Sequence, residues 1–469
     1  MLNPQRARKD PILRIELRQR EGAMLRKILI PDLTDDELRV DLPSPKCRGN
    51  LTETDQLVIN NYELLLKNVD ELSIDEKLAL FDYLQESVYF LVCSSNDASI
   101  ARNMVMGQGK GKNNEPIDDF KGLVCFRAIL SENEQEEVFQ KWDELVSLDM
   151  VGRDNVAAAC QLLASAQLRK KVKKNDEIDI MEEWLKTQLE VKYENGKDFY
   201  YKVVDPACRI LARFRGDTID AATFEGANVN DSLQRSISMR LAFLRAASGV
   251  PTSKEIEIAV LHQLVQGLPA ETLENCLKQL EVVALYMMLI KPSPAKRHRL
   301  VFDLLDSFDA KKPEPSLVRE MITQNEFVQM RKALDIGSFG SNVPGKKIAS
   351  AILERLSAHE LCERFQSSMP QCAHMQLEHI LPKKAEGEYW TRHWSDADLR
   401  MVWTHRLGNL APLNQRANVK ASNKSFSSKK DLYKESPYPL TSSLQKYDVW
   451  DPEAVENRHK EILHSSYEV

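Results

Sequence analysis

The run Glu378-His379-Ile380-Leu381-Pro382 constrains this chain more than any other segment, because it sets an acid and an imidazole side by side on an apolar stretch closed by a proline. Thirty residues past His379 stands Asn409, inside Leu407-Gly408-Asn409-Leu410, and nine past that stands Asn418. The first stretch reads as the end of a strand and the second as its returning partner. Side chains alternate along a strand, so Glu378 and His379 should face opposite ways. Residues Gln415 to Lys424 then read as a helix carrying Asn418, with Arg416, Lys420 and Lys424 at i, i+4 and i+8 on one face.

These residue types suit phosphodiester hydrolysis, which needs an activated water, charge neutralisation at the phosphate and a stabilised leaving oxygen. His379, with a near-neutral pKa, is the expected proton acceptor. Glu378 and the amide oxygen of Asn418 are the expected ligands of a hard ion, Mg²⁺ or Mn²⁺, which prefers oxygen donors and keeps several waters. Asn409 is expected to hold the His379 ring through a hydrogen bond, and Gly408 to permit a tight backbone. Taken together the spacing resembles a ββα-metal (HNH-type) nuclease signature. Between Arg400 and Lys434, eight Lys/Arg stand against the single acid Asp431, a local charge of +7 in a chain of net charge -6. Such a contrast marks a nucleic-acid surface, with Arg416, Lys420, Lys424, Lys429 and Lys430 as the expected DNA contacts.

From about Ser341 onward the chain is similar to the C-terminal nuclease domain of the GmrSD-type modification-dependent restriction endonucleases. The resemblance rests on Ile352-Leu353-Glu354-Arg355-Leu356, Glu378-His379-Ile380-Leu381-Pro382, Gly408-Asn409-Leu410, Asn418, Phe426, Lys429-Lys430, Tyr433, Trp450 and Arg458, in that order. It implies Glu378, His379, Asn409 and Asn418 as site residues. Upstream the match is thinner. The family's ParB-like NTPase domain carries an Asp-Gly-Gln-Gln-Arg motif that this chain lacks; Gln5-Arg6 and Gln19-Arg20 are its only echoes. Val88-Tyr89-Phe90-Leu91-Val92 reads as a strand from the end of that domain, and Asp118-Asp119-Phe120-Lys121 resembles its Asp-x-x-Lys helix start. Own NTPase activity is therefore not expected.

Composition fits a mainly α (α+β) protein. The chain has 17 Gly in 469 residues, roughly half the usual share, which favours helices. The length suggests about three domains: 1–150, a truncated ParB-like remnant with helices; 151–335, a helical middle; and 336–469, the HNH-like nuclease. In the middle region Pro269 and Glu271 open a helix with Leu273, Cys276, Leu277, Leu280 and Val283 on one face, stopped by Pro292 and Pro294. Ser307 to Pro315 reads as a linker. No apolar run approaches the ~18–20 residues that span a bilayer, and the N-terminus lacks a signal-peptide core. The expected location is cytoplasmic, or nuclear in a eukaryotic host. Cys47, Cys93, Cys125, Cys160, Cys208, Cys276, Cys362 and Cys372 form no CxxC pair and read as reduced thiols.

Other candidates have blander readings. His374 is five residues from His379 and reads as a loop residue rather than a zinc partner. His393 and His405, among Trp390, Trp394 and Trp403, read as packing of an inserted helix, with a DNA contact at His405 as the sharper option. The Gly107–Lys112 run lacks the order of a phosphate loop, and Lys170–Lys174 reads as a solvated face. The resulting expectation is a metal-dependent DNA endonuclease of restriction or defence type. The alternative is an inactive DNA-binding or partner-docking derivative. DNA, a separately encoded NTPase subunit and a second copy of the chain are the expected partners, with no membrane.

Overall fold

The computed structural model describes residues 53–86, 116–129, 131–216, 231–310, 315–365 and 375–468. The expected strand at Val88–Val92, the Gly107–Lys112 loop, the Gln-Arg echoes, His374 and most of the linker before Pro315 lie outside those residues. What is described is predominantly α-helical, with one two-stranded sheet. It divides into two compact units. One runs to Gln161 and takes in Val172–Arg209; the other comprises Leu162–Lys171 and Ile210 onward.

In the first unit the helix Pro116–Ala128 places Asp118, Asp119 and Phe120 in its opening turns. Phe120 packs against Trp142 and stacks on Trp184, while Lys121 pairs with Asp143 at 2.6 Å. The Asp-x-x-Lys segment is thus a core-facing helix start held by ordinary packing.

In the second unit the helix Ala270–Ile290 begins after Pro269 and buries Leu273, Cys276, Leu277, Leu280 and Val283. Lys291 ends it in the left-handed region at φ 53, and Pro294 opens the next helix, Pro294–Asp309. Each buried Leu or Val contributes about 1.5–3 kcal/mol relative to exposure. The helices Asp231–Ser248, Ala270–Ile290 and Val343–Phe365 are joined through one carboxylate. Glu281 accepts from Arg355 Nε at 2.7 Å and is also paired with Arg240, whose Nε reaches Glu274 at 2.8 Å. Glu281, Arg240 and Arg355 are all buried, so the Arg of the Ile-Leu-Glu-Arg-Leu segment serves to anchor the Val343–Phe365 helix.

That helix leads into the sheet. Strand β1 (Met375–His379) pairs antiparallel with β2 (Leu410–Asn414), with His379 opposite Leu410 and Glu378 opposite Ala411. The helix Gln415–Ala421 follows β2 directly, capped by Asn414, whose side chain accepts from Ala417 N at 2.8 Å. The β–β–α order anticipated from the motif spacing is therefore present. Between the strands, the helices Glu388–His393 and Ala397–Thr404 bring Trp390, Trp394 and Trp403 into a core with Phe426, Tyr433 and Trp450.

Replacing Glu281 by Ala should leave two buried guanidinium groups short of their counter-charge and cost about 3–5 kcal/mol. A lower midpoint in chemical denaturation of Glu281→Ala would register it; an unchanged midpoint would show that the three-helix junction does not depend on this carboxylate.

Candidate functional site

His379 ends β1 and lies half-buried, with its Nε2 3.3 Å from Nδ1 of the half-buried His405. The rings meet edge-on, at 5.4 Å between centroids and 88° between planes. The backbone of Gly340 forms the wall behind them. Its N–H donates to the His405 carbonyl at 3.0 Å, and a Cβ there would fall 2.5 Å from His379 Nε2 and 2.9 Å from His405 Nδ1. Only glycine leaves room for both rings.

Burial, then the positive charge of Lys383, the His405 ring and Lys346, hold the His379 imidazole down to about 3. Burial and the same two lysines lower His405, opposed by a hydrogen bond with the Gly340 backbone. Both rings are therefore neutral near pH 7.

The end of β1 is fixed by groups that look like site residues in the sequence. Lys429, expected at the DNA surface, is instead fully buried. Its ammonium donates to Glu378 Oε1 at 2.7 Å and to the carbonyls of His379 and Ile380, each at 3.1 Å. Three protons meet three acceptors, so nothing is left for a phosphate. Glu378, 4% exposed, also accepts from Tyr433 Oη at 2.9 Å. Burial pushes its carboxyl up and the Lys429 ammonium down, and each partner opposes the other's shift.

Asn409 does not reach the His379 ring. Its Oδ1 accepts from Leu381 N at 2.7 Å and Trp450 Nε1 at 3.1 Å, and its Nδ2 donates to the Leu381 and Thr404 carbonyls, both at 2.9 Å. The amide holds backbone, and through it the strand end. Gly408 is needed because the helix Pro452–Glu468 passes so close that a Cβ would lie 2.6 Å from His459 Cβ. From that helix Arg458, buried, donates to the carbonyls of Gly408 at 2.6 Å and Leu410 at 2.9 Å.

The remaining expected contacts separate. Arg416 and Lys420 are exposed on the Gln415–Ala421 helix, but that helix ends before Lys424, which is exposed beyond it, so the three do not share one helical face. Lys430 donates to the Tyr447 carbonyl at 2.8 Å. Asn418 donates to Gln376 Oε1 at 2.7 Å. Gln376 and Glu378 share one strand face, and His379 lies on the other.

The family resemblance implies a divalent ion such as Mg²⁺ or Mn²⁺, which needs several free oxygen donors. The arrangement offers few: Glu378 is buried with its Oε1 accepting from Lys429 and Tyr433, and Asn418 donates its Nδ2 to Gln376, so Glu378 Oε2 and Asn418 Oδ1 are the oxygens that would hold an ion. Among the described residues no group of three His, Cys, Asp or Glu is placed to hold a metal. In the sequence His405 reads only as packing or a DNA contact, and nothing singles out Gly340. For the nearby lysines, the Lys383-Lys384 pair directly after Pro382 was the available signal.

Two outcomes follow from this geometry. Glu378→Gln should cost about 3–5 kcal/mol, because Lys429 stays buried without its counter-charge; a metal ligand exposed to solvent would instead be replaced with little loss of stability in a denaturant titration. The depressed His379 adds a pH dependence. A histidine whose folded pKa lies below its unfolded value gives stability that is fully present above about 6.5 and lost as pH falls toward about 3. Thermal midpoints between pH 7.5 and 4 should fall less steeply in His379→Gln than in the unsubstituted protein; parallel curves would assign the loss to other groups.

A search of curated proteins finds no match to this chain. Residues 333–465 match the family model described as GmrSD restriction endonucleases, C-terminal domain. This stretch takes in both strands, both histidines, the buried Lys429 and the Arg458 helix. Residues 333–465 are therefore similar to the C-terminal domain of the GmrSD restriction endonucleases, which implies a nuclease domain of restriction-endonuclease type.

Proposed function

We propose that this chain is a DNA endonuclease in which His379 takes the proton from the attacking water. The observation that carries the reading is the neutral His379–His405 pair, half-buried at the end of β1 in a β–β–α unit and bordered by lysines. A general base must be unprotonated at working pH. In the tautomer where His379 Nε2 donates to His405 Nδ1, Nδ1 of His379 keeps its lone pair for water. The water oxygen bonds to phosphorus, its proton passes to His379, and the bond from phosphorus to the 3′ oxygen breaks, the oxygen leaving with the electron pair and taking a proton from solvent. An imidazole held near 3 is a weak base. A phosphodiester anion drawn against Lys383 and Lys346 offsets their charge and raises its basicity, so the substrate itself tunes the base.

Arg416, Lys420 and Lys424, all exposed, are proposed to track the DNA backbone. A homodimer is the proposed assembly for cutting both strands, and a separately encoded NTPase subunit the proposed regulator. One observation favours a second reading. Because Glu378 is tied off by Lys429, the chain is also suited to holding DNA without cutting it.

Plasmid cleavage by the full chain and by His379→Ala, with Mg²⁺, with Mn²⁺ and with chelator, tests the proposal. Loss of a general base should slow nicking about 10²–10⁴-fold without lowering the thermal midpoint. Equal cutting by both proteins would remove His379 from the reaction. Salt-sensitive DNA retention with no products from either would favour the binding reading.

A further inference from the structure

The helices Asp231–Ser248, Ala270–Ile290 and Val343–Phe365 frame an open cavity of about 390 Å³ at their shared junction. Its lining includes Arg240 and Arg355, whose side chains are only 8% and 6% exposed. Burying a guanidinium demands acceptors for its fixed fork of N–H groups. Here the supply falls short. Arg240 donates from Nε to Glu274 and from Nη1 to Glu281, but its Nη2 has no partner among the described residues. That nitrogen is not sealed from solvent either, so its open side is the cavity that Arg240 lines. Arg355 gives Nε and Nη2 to Glu281, and its Nη1 meets only the Met239 thioether at 3.0 Å, a weak acceptor. Charge points the same way. Glu281 is one buried carboxylate shared by two guanidinium groups. Glu274 offsets part of the excess, with its Oε1 spent on Ser236 Oγ and Arg240 Nε. The other acids of the lining, Glu271 and Glu363, are exposed, where solvent screens them, and Lys278 is exposed beside them.

We propose that this cavity binds a small organic acid, whose carboxylate or phosphate oxygens are taken by Arg240 Nη2 and Arg355 Nη1, with Lys278 at the exposed margin. An oxyanion supplies the acceptors that both forks lack, and the planar N–H pairs of arginine match the geometry of either group. The volume lies within the ~300–1,000 Å³ of small-molecule sites, so the occupant carries more than the bare acid group. His359, four residues past Arg355 on the same helix, also lines the cavity. Burial and then the Arg355 charge lower its imidazole, so it is neutral near pH 7 and reports on whatever offsets that charge. The Val343–Phe365 helix also packs on both strands, so an occupant steadies the element that backs the sheet. The site stands independently of the nuclease reading.

The test titrates the full chain with inorganic phosphate and, separately, with citrate, following heat by calorimetry and the histidine side chains by NMR. At least one probe should bind, and binding should move the His359 resonance, identified by its loss in His359→Gln. The His359 pKa should rise on binding, because the anion offsets the Arg355 charge. Arg240→Lys keeps a cation beside Glu281 but removes the free fork, and should weaken binding at least tenfold. Lys278→Met leaves the buried network untouched and should weaken it at least threefold, while the control Lys332→Met should bind as the unsubstituted protein does. Preference for phosphate or for citrate names the acid group that the site takes. Should Arg240→Lys fail to fold, Lys278→Met and the His359 titration carry the test. Binding of neither probe, binding that leaves His359 unmoved, or undiminished affinity in the lysine and arginine variants would overturn the site. None of these readouts requires cleavage, so a chain that never cuts DNA can still pass, and an active nuclease can still fail.

Discussion

The side-chain amide of Asn409 is the point on which the nuclease domain turns. Fully buried, it spends both donors and both acceptor positions on Leu381, Thr404 and Trp450. Those partners come from the residue run after β1, the end of the inserted helix pair and the approach to the last helix. A buried amide with all four bonds made is strongly position-specific, because any displacement leaves a desolvated polar group unpaired. His379 is placed because Leu381, two residues on, is placed. His405 is placed because it follows Thr404, whose carbonyl takes the same amide.

The buried ion pair does the complementary work on the other face of the strand. Lys429 neutralises Glu378 and at the same time caps two carbonyls that have run out of sheet partners. Burying charges costs free energy, and such pairs are tolerated when every proton has an acceptor, as here. A consequence is that charge is distributed unevenly around β1. One face is neutral and closed; the other carries the half-buried imidazoles, on which the positive charges of Lys346 and Lys383 act.

The sequence carried the architecture further than the roles. The β–β–α order followed from motif spacing, and the Ala270–Ile290 helix from Pro269 and its apolar face. Both are local properties, in which the pattern itself is the cause. The roles of Glu378, Asn409 and Lys429 were not legible, because a carboxylate, an amide and an ammonium serve equally well to bind a ligand or to satisfy a buried backbone. Only burial separates the two uses. Lys429 and Lys430 are neighbours in sequence, yet one is in the core and the other bonds the Tyr447 carbonyl. Lys346 and Lys383 are not legible for the opposite reason: they belong to different elements, and only the folded chain brings the charge of both to bear on the same imidazoles. Gly340 was invisible because its contribution is the side chain it lacks.

The last helix has a bearing on how the protein is made. Trp450 holds the Asn409 amide, Arg458 gathers the carbonyls around Gly408, and His459 accepts from the Gly408 N–H at 3.1 Å. All three are added to the growing chain after the histidines, the lysines and both strands. A ribosome-bound chain still missing residues 450–459 has every reactive group but not the clasp that aligns them. Alignment of the His379–His405 pair therefore waits, during synthesis, for residues 450–459 to be added.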